Sequence, residues 1–430
     1  MRILILTQIL PYPPDAGPRV KTWHVIRYLA ESGHRLILAS FVREEEQAHI
    51  PALESLFEQV HTVPLRRSRL RDAWDWMISQ LRGRPFLVVR DYDPGMRELV
   101  HRLVGSGQID AIHIDQVSMA QFVPWRGGDP GEPDSHEVPM RANARPLVVF
   151  DAHNAVWKIL DRMKGTAPLP LRPVIALEAR RMRKYEGEVV RSSDFVLAVS
   201  EVDRCSLLEA AEASTVREPG AEIALDGNVV TIPIAVDTDA LQPTPRPSGS
   251  YNILTLGTLH YPPNADGIRW FLREVFPLIK RQVPGATLSI VGKNPPGDLF
   301  RMAHRYPGDV TITGFVPQLE PYLSKAAVLV VPVRVGGGMR VRILEAFAFA
   351  IPTVTTTVGL EGIDGIPGEH VLVGDEPQDF AAHVVNLLRD ELAQAKLAMN
   401  GRRLAEARYD RNEVLKKLDL IYGERVHAST

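Results

Sequence analysis

The sequence predicts an α/β protein built from two doubly wound parallel sheets. Three observations carry that expectation. A βαβ unit opens the chain, a stretch rich in Pro and Ser interrupts it at Gln242–Ser250, and a second series of strands and helices starts directly after the break. A length of 430 residues also exceeds what one hydrophobic core usually supports.

Residues 2–8 read as a buried strand, followed by the proline turn Pro11–Gly17. Val20, Trp23, Ile26, Leu29 and Ala30 then recur at helix spacing, Ser32 and Gly33 close that helix, and Arg35–Phe41 is the next strand. Ala111–Ile114, Pro146–Asp151 and Phe195–Val199 are further strands, and Trp125–Arg145, rich in Pro, Gly and charge, reads as a mobile surface insertion. After the linker the expected order is strand Asn252–Gly257, helix Asp266–Lys280, strands Ala286–Val291, Val310–Thr313 and Ala327–Val331, helix Val341–Ala350 and strand Thr353–Thr356. The expected division is therefore 1–241, a linker at 242–250, a second domain at 251–410, and a final helix at 411–430 that packs back on the first domain.

Composition excludes several functions. Lys and Arg total 50 against 52 Asp and Glu, so no global charge points to nucleic acid. The single cysteine, Cys205, leaves no internal disulfide and no thiolate cluster for zinc, as expected of a cytoplasmic protein. No uncharged stretch approaches the roughly 20 residues of a membrane span, so any membrane contact is expected to be peripheral. No Gly-x-Gly-x-x-Gly follows the first strand, which argues against a dehydrogenase.

The most informative chemistry lies at Val331–Ala346. There an apolar strand runs into Gly336, Gly337 and Gly338 and then a helix, a combination that offers free backbone N–H groups to a diphosphate. Arg340 and Arg342 stand in the first turn, where a cation opposes the helix dipole unless an anion offsets it. Arg342 and Glu345 are three residues apart, so they either pair with each other or both face a ligand, Arg342 on phosphate and Glu345 on ribose hydroxyls.

This segment belongs to a longer pattern: Gly257-Thr258-Leu259-His260, Val291-Gly292-Lys293-Asn294, Thr313-Gly314-Phe315-Val316-Pro317, the glycine turn with Ile343-Leu344-Glu345-Ala346, and Gly359-Leu360-Glu361-Gly362. In order and spacing it resembles the donor domain of glycosyltransferase family 4. Pro13–Gly17, Asp151–Asn154 and Ser200–Asp203 extend the resemblance to the first half. The resemblance implies a GT-B architecture, two Rossmann-like domains facing across a cleft. It further implies a retaining, metal-independent transfer of a hexose-type sugar from a nucleotide-sugar to a glycan, lipid-linked or small-molecule acceptor, with no cofactor, as in polysaccharide biosynthesis.

Carried over, Glu345 holds the ribose, Gly336 and Gly337 cradle phosphate, Val316 meets the base and Gly17 lies near the donor phosphate. Gly338, Arg340, Arg342 and Leu344 complete the expected donor site, with His260, Lys293 and Glu361 as further donor-side candidates. The sequence departs from the pattern twice. Gly337 replaces the first of two paired glutamates, and Ala350 replaces the glycine that ends the helix.

His153 ends an apolar strand and matches the family's strand-end histidine beside the donor sugar, so it is the expected catalytic residue. A structural histidine tethered by Asp151 is the alternative, and His113 has a similar setting. The stretch Arg66–Met77 mixes four arginines with Trp74 and Trp76; it is either a solvated face or an interfacial helix for anionic lipid. Arg180–Lys184 is expected to pair with Glu178, Glu186 and Glu188. An epimerase or sugar phosphorylase on the same fold, and a non-catalytic nucleotide-sugar-binding partner, remain alternative functions.

Overall fold

The computed structural model describes residues 1–14, 17–125, 145–214, 227–243 and 248–423, so the expected insertion lies almost wholly outside the described residues. The chain divides into two compact units, Met1–Pro233 with the segment from Leu415 on, and Ile234–Val414.

In the first unit, seven strands form one parallel sheet: β1 (Arg2–Thr7), β2 (Arg35–Val42), β3 (Gln59–Pro64), β4 (Ala111–Asp115), β5 (Leu147–Ala152), β6 (Phe195–Ala198) and β7 (Val229–Thr231). Their order is β3-β2-β1-β4-β5-β6-β7. Every residue of β4 and β5 is buried, which is why both read as apolar runs broken only by His113, Asp115 and Asp151. Helix α1 (Gly17–Glu31) returns from β1 and buries Val20, Lys21, Thr22, Val25, Ile26 and Leu29. Helices α2 (Arg69–Arg82) and α3 (Arg172–Ser192) also belong to this unit.

The second unit repeats the plan with β8 (Asn252–Leu256), β9 (Thr287–Val291), β10 (Val310–Gly314), β11 (Ala326–Val331), β12 (Thr353–Thr355) and β13 (Leu372–Val373), ordered β10-β9-β8-β11-β12-β13 and parallel throughout. Strand order reverses between β1 and β4 in one unit and between β8 and β11 in the other. Ligands of doubly wound sheets bind outside the strand ends at such points.

Helix α4 (Pro262–Trp270) begins earlier than its apolar spacing suggests and continues as a π-turn over Phe271–Val275 before Phe276–Gln282. Pro277 lacks the N–H that a regular helix would need there, and the wider turn absorbs the defect. Helix α5 (Val341–Ala348) stops two residues short of the expected end. Its cap is a Schellman motif: Ile351 N donates to Ala346 O at 2.8 Å and Ala350 N to Phe347 O at 2.9 Å. The motif needs a left-handed residue, and Ala350 supplies it at φ 51°.

The second unit starts at Ile234, not at 251, because residues 234–241 are tied to the end of α6 (Glu391–Arg408). Val236 N donates to Tyr409 O at 2.8 Å, Arg411 N to Val236 O at 2.9 Å, and the buried Arg402 donates to the carbonyls of Thr238, Leu241 and Ala348. The unit correspondingly ends at Val414 rather than 410. Beyond it, α7 (Lys417–Gly423) belongs to the first unit, where Tyr28 donates to Asp419 Oδ2 at 2.8 Å.

Candidate functional site

In the second unit the motif segments gather at the carboxyl ends of β8, β9, β10 and β11. Gly292 permits this: a Cβ there would stand 1.7 Å from the Gly257 carbonyl oxygen, so no other residue lets these two strand ends approach. Thr355 Oγ1 donates to Val331 O at 2.8 Å and fixes the end of β11 to β12. The chain then turns through Gly336 at φ 122° and Gly338 at φ 78°, backbone states that L side chains rarely adopt, and enters α5.

Arg340 occupies the N-cap of α5 and curls back, its guanidinium donating to the carbonyls of Gly337 and Gly338. It braces the turn from within. Arg342 Nη1 donates to Glu345 Oε2 at 2.6 Å, so the two are paired with each other in this state, both partly exposed. Glu345 also lines a pocket of about 210 Å³ with Leu241, Leu256, Pro317, Leu319 and Phe349. A carboxylate at the rim of an apolar pocket is suited to hydroxyl groups on a flat, largely apolar ligand. Val316 is half-buried beside Pro317 at the end of β10.

Leu344 does not join the expected contacts. It is fully buried because the inward face of an apolar helix points it at the core, and its side chain offers no surface to a ligand. His260 is exposed, Glu361 is half-buried, and Lys293 Nζ lies 4.6 Å from the centre of the Phe315 ring.

The first unit holds a buried polar network at its own switch point. Gly17 starts α1 there, and one turn on Lys21 forms an ion pair with Asp151 while Thr22 Oγ1 bonds Asp115 Oδ1 at 2.8 Å. The same Asp115 oxygen lies 2.8 Å from His153 Nε2. His113 Nε2 faces Asp151 Oδ2 at 3.4 Å, and its Nδ1 meets the Tyr422 hydroxyl at 2.8 Å. Burial pushes the Asp151 carboxyl up, but Lys21 and then His113 outweigh it and hold the group well below the usual carboxylate range. Burial, with Asp151 adding to it, lifts Tyr422 well above the usual phenol range, so its hydroxyl keeps the proton it shares with His113.

His153 is thus oriented by Asp115 and not by Asp151, because Lys21 and His113 occupy Asp151. Lys21, Thr22, Asp115 and Tyr422 belong to this network and are not among the residues expected from the sequence. Two signals were present: Lys21 and Thr22 sit on the apolar face of α1, four residues before Val25 and Ile26, and Asp115 ends an apolar strand in register with Asp151. His113, Asp115 and Asp151 have ligand atoms close enough for a metal ion among the described residues. A cation there would have to displace the Lys21 ammonium from Asp151, so the donor set fits an internal ion pair better than a metal.

The arginine-rich run of α3 also differs from expectation. Only Lys184–Glu188 (3.9 Å) forms within it among the described pairs, while Arg183 reaches Glu209 and Glu178 and Glu186 accept from backbone N–H groups at the starts of other helices. Carboxylates aimed at helix N-termini satisfy donors that have no partner within the helix.

Comparison with known proteins decides the class of the second unit. Residues 250–390 match the family model described as Glycosyl transferases group 1. The chain carries a glycosyl transferases group 1 domain. That domain contains β8 to β13, the glycine turn and α5. A relative in Klebsiella pneumoniae, an uncharacterized 44.6 kDa protein in a cps region, is 24% identical over 97% of this chain and 98% of its own. Among solved structures, Anabaena Alr3699/HepE in complex with UDP and glucose covers 99% of this chain and 100% of its own at 15% identity and a TM-score of 0.66. Sucrose-phosphate synthase from Thermosynechococcus elongatus covers 100% of both chains at 17% identity and a TM-score of 0.65. The fold is accordingly GT-B, with two Rossmann-like units, one of them the group 1 domain. No helix among the described residues is long and apolar enough to cross a membrane.

Proposed function

We propose that this chain is a retaining hexosyltransferase that takes its sugar from a nucleoside-diphosphate donor and needs no metal. The observation that carries the reading is Glu345, which lines a pocket beside Pro317 while the glycine turn opens α5 a few residues away. A nucleoside would lie in that pocket with its ribose hydroxyls on Glu345, and the diphosphate would meet the amides of Gly336–Gly338 and the first turn of α5. Donor binding would exchange the Arg342–Glu345 pair for ligand contacts, ribose on one and phosphate on the other. The structure of Alr3699/HepE with UDP-glucose, on the same fold, supports a uridine nucleotide as the first donor to test.

In the reaction the bond between the anomeric carbon and the diphosphate oxygen breaks and the nucleoside diphosphate departs. The acceptor oxygen bonds the same face of that carbon, and its proton passes to the leaving phosphate. Arg342 and the glycine amides would stabilise charge on the leaving group. His153, held by Asp115, is assigned to the donor sugar.

Gly337 favours a second reading, a non-catalytic binder, since the position that would hold a carboxylate for sugar hydroxyls has no side chain. Thermal-shift screening against nucleotide sugars and free nucleoside diphosphates tests both, because a ligand of the native state raises Tm by mass action. The transferase reading requires a Tm rise with a nucleoside diphosphate and its sugar, followed by sugar transfer to an acceptor. A rise with neither transfer nor hydrolysis selects the binder, and no rise with any nucleotide overturns both.

A further inference from the structure

A lysine is almost never fully buried unless it is paired, yet Lys21 is 3% exposed on the inward face of α1 with Val20, Thr22, Val25 and Ile26. Its partner is Asp151 on β5, itself 0% exposed. Asp151 stands in register with Asp115 on the neighbouring strand β4, and Asp115 is 1% exposed. Ligand atoms of these two carboxylates and of His113 all lie within 4.8 Å of one another. Two buried carboxylates thus share one ammonium, and the uneven division decides what each can still bind.

Asp151 is engaged at both oxygens. Lys21 Nζ donates to Oδ1, and His113 Nε2 stands 3.4 Å from Oδ2. His113 is held from its other side, where the Tyr422 hydroxyl meets Nδ1 at 2.8 Å. Asp115 lacks such a cation. Its Oδ1 meets Thr22 Oγ1 and His153 Nε2, each at 2.8 Å, and its Oδ2 accepts no hydrogen bond among the described residues. His153 follows Asp151 by two residues, so Asp151 is the nearer carboxylate along the chain. The imidazole pairs across the sheet with Asp115 because Asp151 is already taken.

We propose that Lys21 is a positioning residue for His153: by holding Asp151 it leaves Asp115 as the carboxylate that sets the imidazole. The inference rests on the assignment of His153 to the donor sugar. Its consequence is reciprocal. Without Lys21, Asp151 Oδ1 is open and competes with Asp115 for His153. Without Asp151, the buried ammonium turns to Asp115, the remaining carboxylate of the network, and displaces His153. Removing both restores the allocation, and an ion pair removed whole leaves no unpaired charge in the core.

Full-length Lys21→Met, Asp151→Asn and Lys21→Met/Asp151→Asn are compared by transfer kinetics with the donor that the thermal screen identifies. NMR of protein carrying ring-15N histidine follows His153 directly, its signals assigned from those missing in His153→Gln. Each single variant lowers kcat by about tenfold or more with donor KM within about twofold, and shifts both ring-nitrogen signals of His153. The double variant recovers kcat to within about threefold of wild type and returns the signals, a coupling that independent sites would not show. Normal kcat per folded molecule in the single variants, with His153 signals unmoved, makes the lysine purely structural and overturns the proposal. A double variant no better than the worse single variant overturns it too. If Lys21→Met does not fold, the loss in Asp151→Asn and its recovery in the double variant carry the same test. A wild type that transfers no sugar overturns the transferase reading, and the NMR signals then decide on Lys21 alone: shifted and restored, they uphold its hold on His153; unmoved, they overturn it.

Discussion

Asp115 Oδ1 lies 2.8 Å from His153 Nε2 and 2.8 Å from Thr22 Oγ1, so one carboxylate oxygen joins the end of β4, the residue after β5 and the first turns of α1. An imidazole held on one nitrogen has a fixed ring plane and presents its other nitrogen in a set direction. His153→Ala should lower kcat by about 10²-fold or more while nucleoside-diphosphate affinity, carried by the other unit, stays nearly constant. Asp115→Asn should lower kcat less and alter the pH profile of kcat, the signature of a positioning role. Near-normal turnover per folded His153→Ala molecule would remove His153 from the reaction.

The Arg342–Glu345 pair, at 2.6 Å, is the contact that donor binding would exchange for ligand. Both groups are partly exposed, so the pair itself should add little stability, about 1 kcal/mol or less. Glu345→Ala and Arg342→Ala should each cost roughly 1.5–3 kcal/mol of nucleoside-diphosphate binding in calorimetry with the fold intact. Unfolding of both variants with unchanged affinity in the folded fraction would mark the pair as purely structural.

Ala350 adopts a left-handed conformation at φ 51° in the Schellman cap of α5. A Cβ in that region costs roughly 1–2 kcal/mol, against the smaller entropic cost of glycine in the unfolded chain. Ala350→Gly should stabilise the group 1 domain by about 1 kcal/mol in chemical denaturation. A loss of stability would show that the buried methyl outweighs the backbone.

Glu186 is fully buried under the start of the helix Val156–Thr166, accepting from Val156 N at 2.9 Å and Trp157 N at 2.7 Å. Burial pushes its carboxyl up to about 8 against these two donors, and Asp203 adds to the rise. Between the ordinary glutamate range and pH 8 the native state keeps a proton that the unfolded chain has lost. Stability from this group is therefore present at low pH and declines as pH rises through that window, by a total on the order of a few kcal/mol. Glu186→Gln should flatten the slope of unfolding free energy against pH between about 5 and 8, whatever it does to the absolute value. An unchanged slope would place the proton elsewhere.

Transfer should survive excess EDTA, since arginine and backbone amides are assigned to the donor phosphates. Activity lost on chelation and restored by Mg²⁺ or Mn²⁺ would contradict this.

The sheets were legible wherever strands are buried on both faces. β1, β4, β5, β8 and β11 are apolar runs bounded by turns, whereas β3 is a half-exposed edge strand with polar residues, and β7 and β13, of three and two residues, are too short to show a period. The unit boundary was misplaced because residues 234–241 look like the approach to a linker, and their partners, Arg402 and Tyr409, lie far along the chain. In the site, the glycine turn was readable because its glycines lie next to the helix they serve. The Lys21–Asp151–His113–Tyr422 network was not, since its members come from four distant segments and meet only through the parallel register of β4 and β5 and the return of α7.

That return has a consequence for biogenesis. Tyr422, which closes the network over His113, is translated only after the whole of residues 234–414. The first unit is thus discontinuous in sequence, and the second, though encoded later, is the one whose residues are contiguous. All seven strands of the amino-terminal sheet precede residue 234, so what waits for the segment from Leu415 on is the His113–Tyr422 hydrogen bond and the Tyr28–Asp419 bond beside it.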